Sequence, residues 1–405
     1  MILYKFRRKI IKKIKTIFFE YKFVKGFYKN DLFIYDDIFP HPISGFRLEE
    51  FSVLLNEFEN SKILMTPDSY PALSTPRSEH QNHIKGFLVL FPQLKNKLCL
   101  KKKIVNINTK LFYCVFIQNI HPNLRWLEKH KIPFAFTLYP GGGFEIGDSI
   151  IDMKLKQVLS SSQFKKVIVT QSYTRDYLLN NKFCSADKIE YIFGCVVPQQ
   201  SIKKSIEDKK LFLRGKNTLD ICFCAAKYML KGLDKGYDVF IEMAISIVKK
   251  YDFIRIHVIG GFDKHDIDVT FLDDKISFYG YQSFENLGSI YKNMDIIISP
   301  NKPFYLGKGF DGFPLGTVIE AVFNGVVALV TDELKQNSVF VNNEEIIIIE
   351  SSAELIEKEI IKLINNPEKL YSLSRKGKEK FKEIFSNDFQ MKPRVALLHQ
   401  IISKI

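Results

Sequence analysis

A chain of 405 residues, 46% of them hydrophobic, can build ordinary cores, and at this length two domains are expected. The net charge of +14 is unevenly placed: residues 1–25 hold nine Lys/Arg against Glu20 alone, so the rest of the chain is only mildly basic. This composition excludes global disorder, and without an aromatic–basic platform or a finger motif the charge does not point to nucleic acid.

The first expected element is a basic helix within residues 1–30. Leu3, Phe6, Ile10, Ile14, Ile17 and Tyr21 recur every three or four positions and form one apolar stripe. Such a helix attaches to an anionic membrane surface at roughly 1 kcal/mol per basic residue near the lipid. The alternative is a helix docked on its own domain with a solvated charged face. Lysines interrupt every apolar run and no small-residue cleavage site follows, so the segment does not read as a signal peptide. No stretch approaches the ~18 apolar residues that span a bilayer. Six cysteines show no metal spacing, and Cys222 and Cys224 fall on one face of a strand as core residues. The expected setting is the cytoplasm, peripheral to the inner face of the membrane.

Next come strand signals at 32–36, 62–66, 110–118, 133–139 and 165–171, with helical patterns such as NLRWLEKH and TRDYLLNNKF between them. Strands alternating with helices predict a parallel sheet covered on both faces. The polar stretch 198–217 reads as a linker. A second series follows: strands at 219–226, 253–261, 275–280, 295–300 and 346–350, with helices over 237–250, 284–293 and 352–364, and a helical tail over 367–403 with a break near Asn387. The expected domains are 31–205 and 215–385, with a C-terminal helix, 386–405, crossing back to the first. Ligands of doubly wound sheets bind beyond the carboxyl ends of the strands, so two facing domains would share a cleft.

The richest stretch for chemistry is GKGFDGFPLGTVIEAVFNGVVALVTD, residues 307–332, read as loop, helix, turn and strand. Pro314 suits the first turn of the helix, whose free N–H groups and partial positive charge can hold a phosphate. Asp311 and Glu320 flank it, placed to serve neutral hydroxyls. The alternative is one acid that complements the helix dipole and one exposed Glu. At the end of strand 219–226 come Lys227, Lys231 and Lys235. They clamp a diphosphate, at roughly 1.5–3 kcal/mol per charge-assisted bond, or else form one solvated helix face. Gly232 and Gly236 argue against a continuous helix there.

Gly307, Gly309 and Gly312 spell G-x-G-x-x-G with Asp332 beyond, a dinucleotide fingerprint. The preceding strand ends too early for the tight turn which that motif needs, so this reading is set aside. Asp266-x-Asp268, a pattern that can hold a metal-bound sugar nucleotide, lies alone in a polar loop and reads as solvated; no metal and no cofactor is expected. In the first half, His121 follows a strand, where it polarises a hydroxyl, donates to a phosphate or simply caps the next helix. The segment Tyr139-Pro-Gly-Gly-Gly-Phe144 permits close backbone approach, and Gly45-Phe46-Arg47 lies where it can close the same cleft.

Together these segments resemble the retaining GT-B glycosyltransferases of family 4, across most of residues 31–385 and most strongly over 219–332. The segment AAK…KGYDVFIEMA is similar to the family's phosphate-binding motif, with Lys227 where Arg is usual. HVIGG, with Gly260 and Gly261, matches its glycine turn, and the stretch containing Tyr281 matches the lining of its nucleobase pocket. DGFPLGTVIEAVFNGVVALVTD resembles its paired-acid motif. KIEYIFGCVVP looks like the end of its first domain, and FIQNIH and FTLYPGGGF stand where the family often has His-rich and T-x-H-G segments.

The resemblance implies a GT-B fold and a nucleotide-diphosphate sugar donor, with a glycan or lipid-linked acceptor in surface polysaccharide synthesis. It implies donor contacts at Gly45, Gly260, Gly261, Tyr281, Gly312, Phe313, Pro314, Leu315, Gly316 and Glu320, the last on the ribose. It also implies catalytic roles for His121, Lys227, Lys235 and Asp311, the lysines replacing a divalent metal. The chain departs from the pattern in three places, one being PHPISGFR where the family has a glycine-rich loop after its first strand, with Gly45 as the one glycine there. Eight residues separate Asp311 from Glu320 where the family has seven, so the first-acid position falls on Asp311 or, counted back from Glu320, on Gly312. Tyr139 stands where a His is common. A non-catalytic sugar-nucleotide-binding partner of a transferase and a sugar phosphorylase are the alternatives.

Overall fold

The computed structural model describes residues 23–24, 29–100, 105–200, 209–305 and 307–405. The basic helix expected over residues 1–25 lies outside the described residues except for Phe23–Val24, which pair in parallel with Val105–Asn106.

The first lobe is a seven-stranded parallel sheet. Its strands are β1 Asn30–Asp36, β2 Ser61–Met65, β3 Leu98–Leu100, β4 Thr109–Val115, β5 Phe134–Leu138, β6 Phe164–Val169 and β7 Ile189–Tyr191. The spatial order is β3-β2-β1-β4-β5-β6-β7. The second lobe repeats the scheme with β8 Leu219–Cys224, β9 Ile254–Ile259, β10 Ile276–Phe278, β11 Ile296–Ser299, β12 Val327–Thr331 and β13 Ile347–Ile349, in the order β10-β9-β8-β11-β12-β13. Both sheets reverse winding direction beside their first strand, between β1 and β4 and between β8 and β11. Those two points open crevices at the carboxyl edges. Central strands such as IIIS and VALVT are buried along their whole length because helices cover both faces.

The two-lobed α/β class is the one the sequence pattern predicts; several details differ. The strand expected over 110–118 stops at Val115, because Phe116 takes φ 71° and turns the chain into a short helix, Ile117–Ile120. β3 has only three residues at a sheet edge, too few to show a period. The polar stretch read as a linker ends inside the second lobe. Leu211 and Phe212 are buried, and the Asp295 carboxylate accepts from the amides of Phe212 and Asp220, each at 2.8 Å.

Two segments bind the lobes together. The helix Asn387–Ser403 lays Met391, Leu397, Leu398 and Ile401 into the core of the first lobe. Its Arg394 is 0% exposed and donates to Gln390 Oε1 at 3.1 Å and to the Tyr139 hydroxyl at 3.4 Å; that hydroxyl donates to Glu50 at 2.8 Å. In the other direction, the loop after β11 sends Phe310 into the core of the first lobe, edge-on to Phe144 and Tyr173. The Ile146 amide donates to the Lys308 carbonyl at 2.9 Å.

Candidate active site at the crevice of the second lobe

The crevice between β8 and β11 gathers most of the residues singled out from the sequence. β8 delivers the chain to Lys227, and the irregular turn Leu230–Lys235 follows. Lys231 and Gly232 take φ 58° and 56°, so the lysines do not share one regular helix. Gly236, at φ 68°, is needed for a close approach: a Cβ there would lie 2.1 Å from the Pro300 carbonyl oxygen. The next helix, Tyr237–Val248, is thereby pressed against the end of β11.

Lys235 is 5% exposed, and its Nζ lies 2.7 Å from both carboxylate oxygens of Asp311. Asp234 Oδ2 is 3.4 Å away and the Tyr228 ring lies 5.0 Å from the ammonium. Burial alone lowers the pKa of this lysine, but the charge and hydrogen bond of Asp311, with Asp234, outweigh it and raise the value above that of an ordinary lysine. Asn301 Nδ2 also donates to Asp311, at 2.7 Å, and Ser299 Oγ donates to Asn301 at 2.7 Å. Asp311 is therefore oriented from two sides. Asn301 and Tyr228 were not singled out from the sequence, although Asn301 stands two residues past a strand end at the crevice.

Lys227 does not meet the Lys235 pair. Its ammonium is bonded to Asp266, and its amide donates to the Tyr281 hydroxyl at 3.3 Å. This corrects the reading of Asp266 as a solvated loop residue; Asp268 does serve its own loop, accepting from the amide of Thr270 at 3.0 Å. Gly260 and Gly261 explain the local path. A Cβ on Gly260, at φ 123°, would lie 2.0 Å from the Ala225 carbonyl oxygen, and one on Gly261 would enter the Tyr281 ring. The Tyr281 ring, 58% exposed, thus lies over the glycine turn beside Lys227.

The helix with Glu320 runs over Gly316–Phe323, so it starts two residues later than Pro314 suggested. Phe313 is 4% exposed and packs in the core under the helix, and with Asn301, Asp311, Gly312, Pro314 and Leu315 it lines a cavity at the end of β11. Its carbonyl accepts from Gln171 of the first lobe at 3.4 Å, and Gly312 closely approaches the same side chain. Leu315 caps the helix without a side-chain hydrogen bond, which leaves the amides of Gly316, Thr317 and Val318 without intrahelical partners. Thr317 Oγ1 donates to the Cys224 carbonyl at 2.9 Å, seating the helix start on the end of β8. Glu320 lies one turn on. Its carboxyl takes no hydrogen bond from any described residue, and burial pushes its pKa up to about 8.

The first-lobe candidates are less concentrated. The His121 ring bonds Gln157 at 2.8 Å, on the helix Ser149–Leu159, and is not brought to the lysine–acid group. Gly45 opens the helix Gly45–Glu57 against Pro198. The crevice between β1 and β4 holds a buried network missed from the sequence. Asp36, 0% exposed, accepts from Arg47 Nε at 2.9 Å, and Asn119 donates to Asp37 at 3.1 Å. Burial, with Asp37 nearby, lifts the Asp36 carboxyl to about 6 despite Arg47. Among the described residues, no group of three or more His, Cys, Asp or Glu is placed to hold a metal ion.

Comparison with known proteins extends this geometry. Residues 231–380 match the family model of glycosyl transferases group 1. The uncharacterized glycosyltransferase MJ1069 of Methanocaldococcus jannaschii is 24% identical over 394 residues, covering 88% of this chain and 94% of that protein. Sucrose-phosphate synthase of Thermosynechococcus elongatus superposes with a TM-score of 0.61 at 14% identity, covering 93% of this chain and all of the other. Anabaena HepE, in complex with UDP and glucose, gives 0.59 at 10% identity, covering 93% and 98% of the two chains. The structural likeness shows the shared fold, and the family match covers the part of the crevice that carries Lys235, Asp311 and Glu320 but begins after β8 and Lys227. The chain is a glycosyltransferase of GT-B fold, with its match to the group 1 model lying in residues 231–380.

Proposed function

We propose that this transferase takes its sugar from a nucleotide-diphosphate donor held at the β8–β11 crevice, without a metal and with retention of configuration. We propose as acceptor a glycan or a lipid-linked glycan of surface polysaccharide synthesis, met at an anionic membrane surface through residues 1–25. The observation that carries the donor reading is the buried Lys235 ammonium fixed by Asp311 beside a helix start with open amides. A cation and peptide dipoles converging at a crevice stabilise a leaving diphosphate as its charge develops, a task a divalent ion performs elsewhere. Glu320 takes the ribose hydroxyls in this reading, and Asp311 and the Gly312–Gly316 backbone take hydroxyls of the donor sugar. The crystal structure of HepE in complex with UDP and glucose supports the same donor chemistry.

The acceptor side rests on the crevice of the first lobe, which the Tyr139–Phe144 turn borders. Closure of the two lobes would exclude water from the donor. Among the described residues no helix is long and apolar enough to cross a membrane; the proposed attachment rests on the apolar stripe and the nine Lys/Arg of residues 1–25. Screening sugar nucleotides for transfer or slow hydrolysis tests the proposal. Turnover of one donor with chelator present is the expected result. Binding without turnover favours the non-catalytic partner, and a requirement for inorganic phosphate favours the phosphorylase.

A further inference from the structure

We propose that Asp266 is a built-in counter-charge of the diphosphate clamp, which limits the hold of Lys227 on the nucleoside diphosphate and so sets its release after transfer. The inference rests on the donor-site reading above. Asp266 reaches Lys227 by a defined path. β9 lies beside β8, and the Gly260 turn presses the end of β9 onto Ala225, two residues before Lys227. Five residues beyond Gly261, the loop returns Asp266 to the lysine.

The carboxylate is held from both ends. One oxygen takes the Lys227 ammonium, and the other accepts from the Asp263 amide at 3.0 Å. Burial raises the carboxyl, but the Lys227 hydrogen bond, the Asp263 amide and the lysine charge together bring it below the usual range. Both groups keep some access to the crevice, with side chains 23% and 10% exposed. Lys235 differs: its partner Asp311 is also tied to Asn301, and its own side chain is 6% exposed. Two ammonium groups thus face three carboxylates, those of Asp234, Asp266 and Asp311.

A diphosphate that reaches Lys227 finds its charge partly cancelled. Lysine carries three donors, so it can keep Asp266 and still meet a phosphate oxygen. The grip is then weaker than that of a bare ammonium, because like charges oppose each other across the same cation. A transferase gains from that arrangement. Charge develops on the leaving diphosphate only during transfer, and a product held too tightly would limit turnover.

The test is calorimetric titration of UDP, GDP and ADP, and of uridine, guanosine and adenosine, into the full chain and three variants: Asp266→Asn, Lys227→Gln and the double substitution. Asn keeps an oxygen that can accept from Lys227 while removing the charge. The expected result is about tenfold tighter diphosphate binding in Asp266→Asn, equivalent to about 1.4 kcal/mol. Nucleoside affinity stays the same, and the gain vanishes in the Lys227→Gln background. A loop-tacking role for Asp266 would not produce that pattern. Unchanged or weaker diphosphate binding in Asp266→Asn overturns the proposal, as does a gain that extends to nucleosides or survives Lys227→Gln. If no diphosphate binds the parent chain, the donor-site reading fails and takes this proposal with it; the other failures leave that reading intact.

Discussion

Replacing Glu320 by Gln isolates the electrostatics of the crevice. The Glu320 carboxyl has no hydrogen-bond donor among the described residues, and burial alone raises its pKa from 4.5 to about 8. Between those two values the folded chain keeps a proton that the unfolded chain has lost. Linkage then requires stability to fall as pH rises through this window, with the whole loss present above about pH 8. Taken in full, the displacement is worth about 5 kcal/mol; the partial exposure of the side chain reduces this to about 2 kcal/mol. Glu320→Gln removes the term. Urea unfolding of parent and variant across the acid-to-alkaline range reads it directly. The two should be equally stable in acid below the ordinary carboxyl range, and the variant about 2 kcal/mol more stable in alkali. In the same variant sugar transfer assayed above about pH 8, where the parent carboxyl is ionised, should fall about tenfold, since a ribose hydroxyl loses its anionic acceptor. A stability gap that does not change with pH would refute the burial argument, and undiminished transfer would remove the ribose assignment.

Lys235→Ala should weaken nucleoside diphosphate binding and slow transfer by more than tenfold, because a charge-assisted contact is worth roughly 1.5–3 kcal/mol; kinetics equal to the parent's would rule out the clamp. Gly260→Ala should cost about 3 kcal/mol in thermal unfolding, since φ 123° and a Cβ 2.0 Å from a carbonyl oxygen leave no room, and an unchanged melting temperature would contradict that path for the glycine turn. Arg394→Met should destabilise the chain by about 3 kcal/mol, because the buried Glu50 loses its counter-charge and the Tyr139 hydroxyl loses a donor; denaturant unfolding checks it, and a variant as stable as the parent would mean that packing alone holds the C-terminal helix. Deleting residues 1–25 should release the protein from anionic vesicles in a flotation assay, and persistent binding would refute the N-terminal anchor.

Much of the second lobe was legible in the chain order of its residues. Strands such as DIIIS and VVALV declare themselves by composition, since a strand buried on both faces must be apolar throughout. Gly232, Gly236 and Gly260 mark positions where the backbone takes positive φ or another strand presses close, and local sequence carries that signal. The start of the Glu320 helix was misplaced by two residues because proline marks a favourable φ without showing where the hydrogen-bonded ladder begins.

The amino-acid sequence by itself determined the alternation of strands and helices, the two-lobed class, and the residue types able to handle a diphosphate at strand ends. Tertiary structure alone decided the pairing. Lys235 goes to Asp311 and Lys227 to Asp266, across 76 and 39 positions of chain, while His121 stays with Gln157. Partner choice among charged side chains depends on which carboxyl edges the sheet order brings together and on how much water each pair retains. Neither quantity has a local period that a sequence can display.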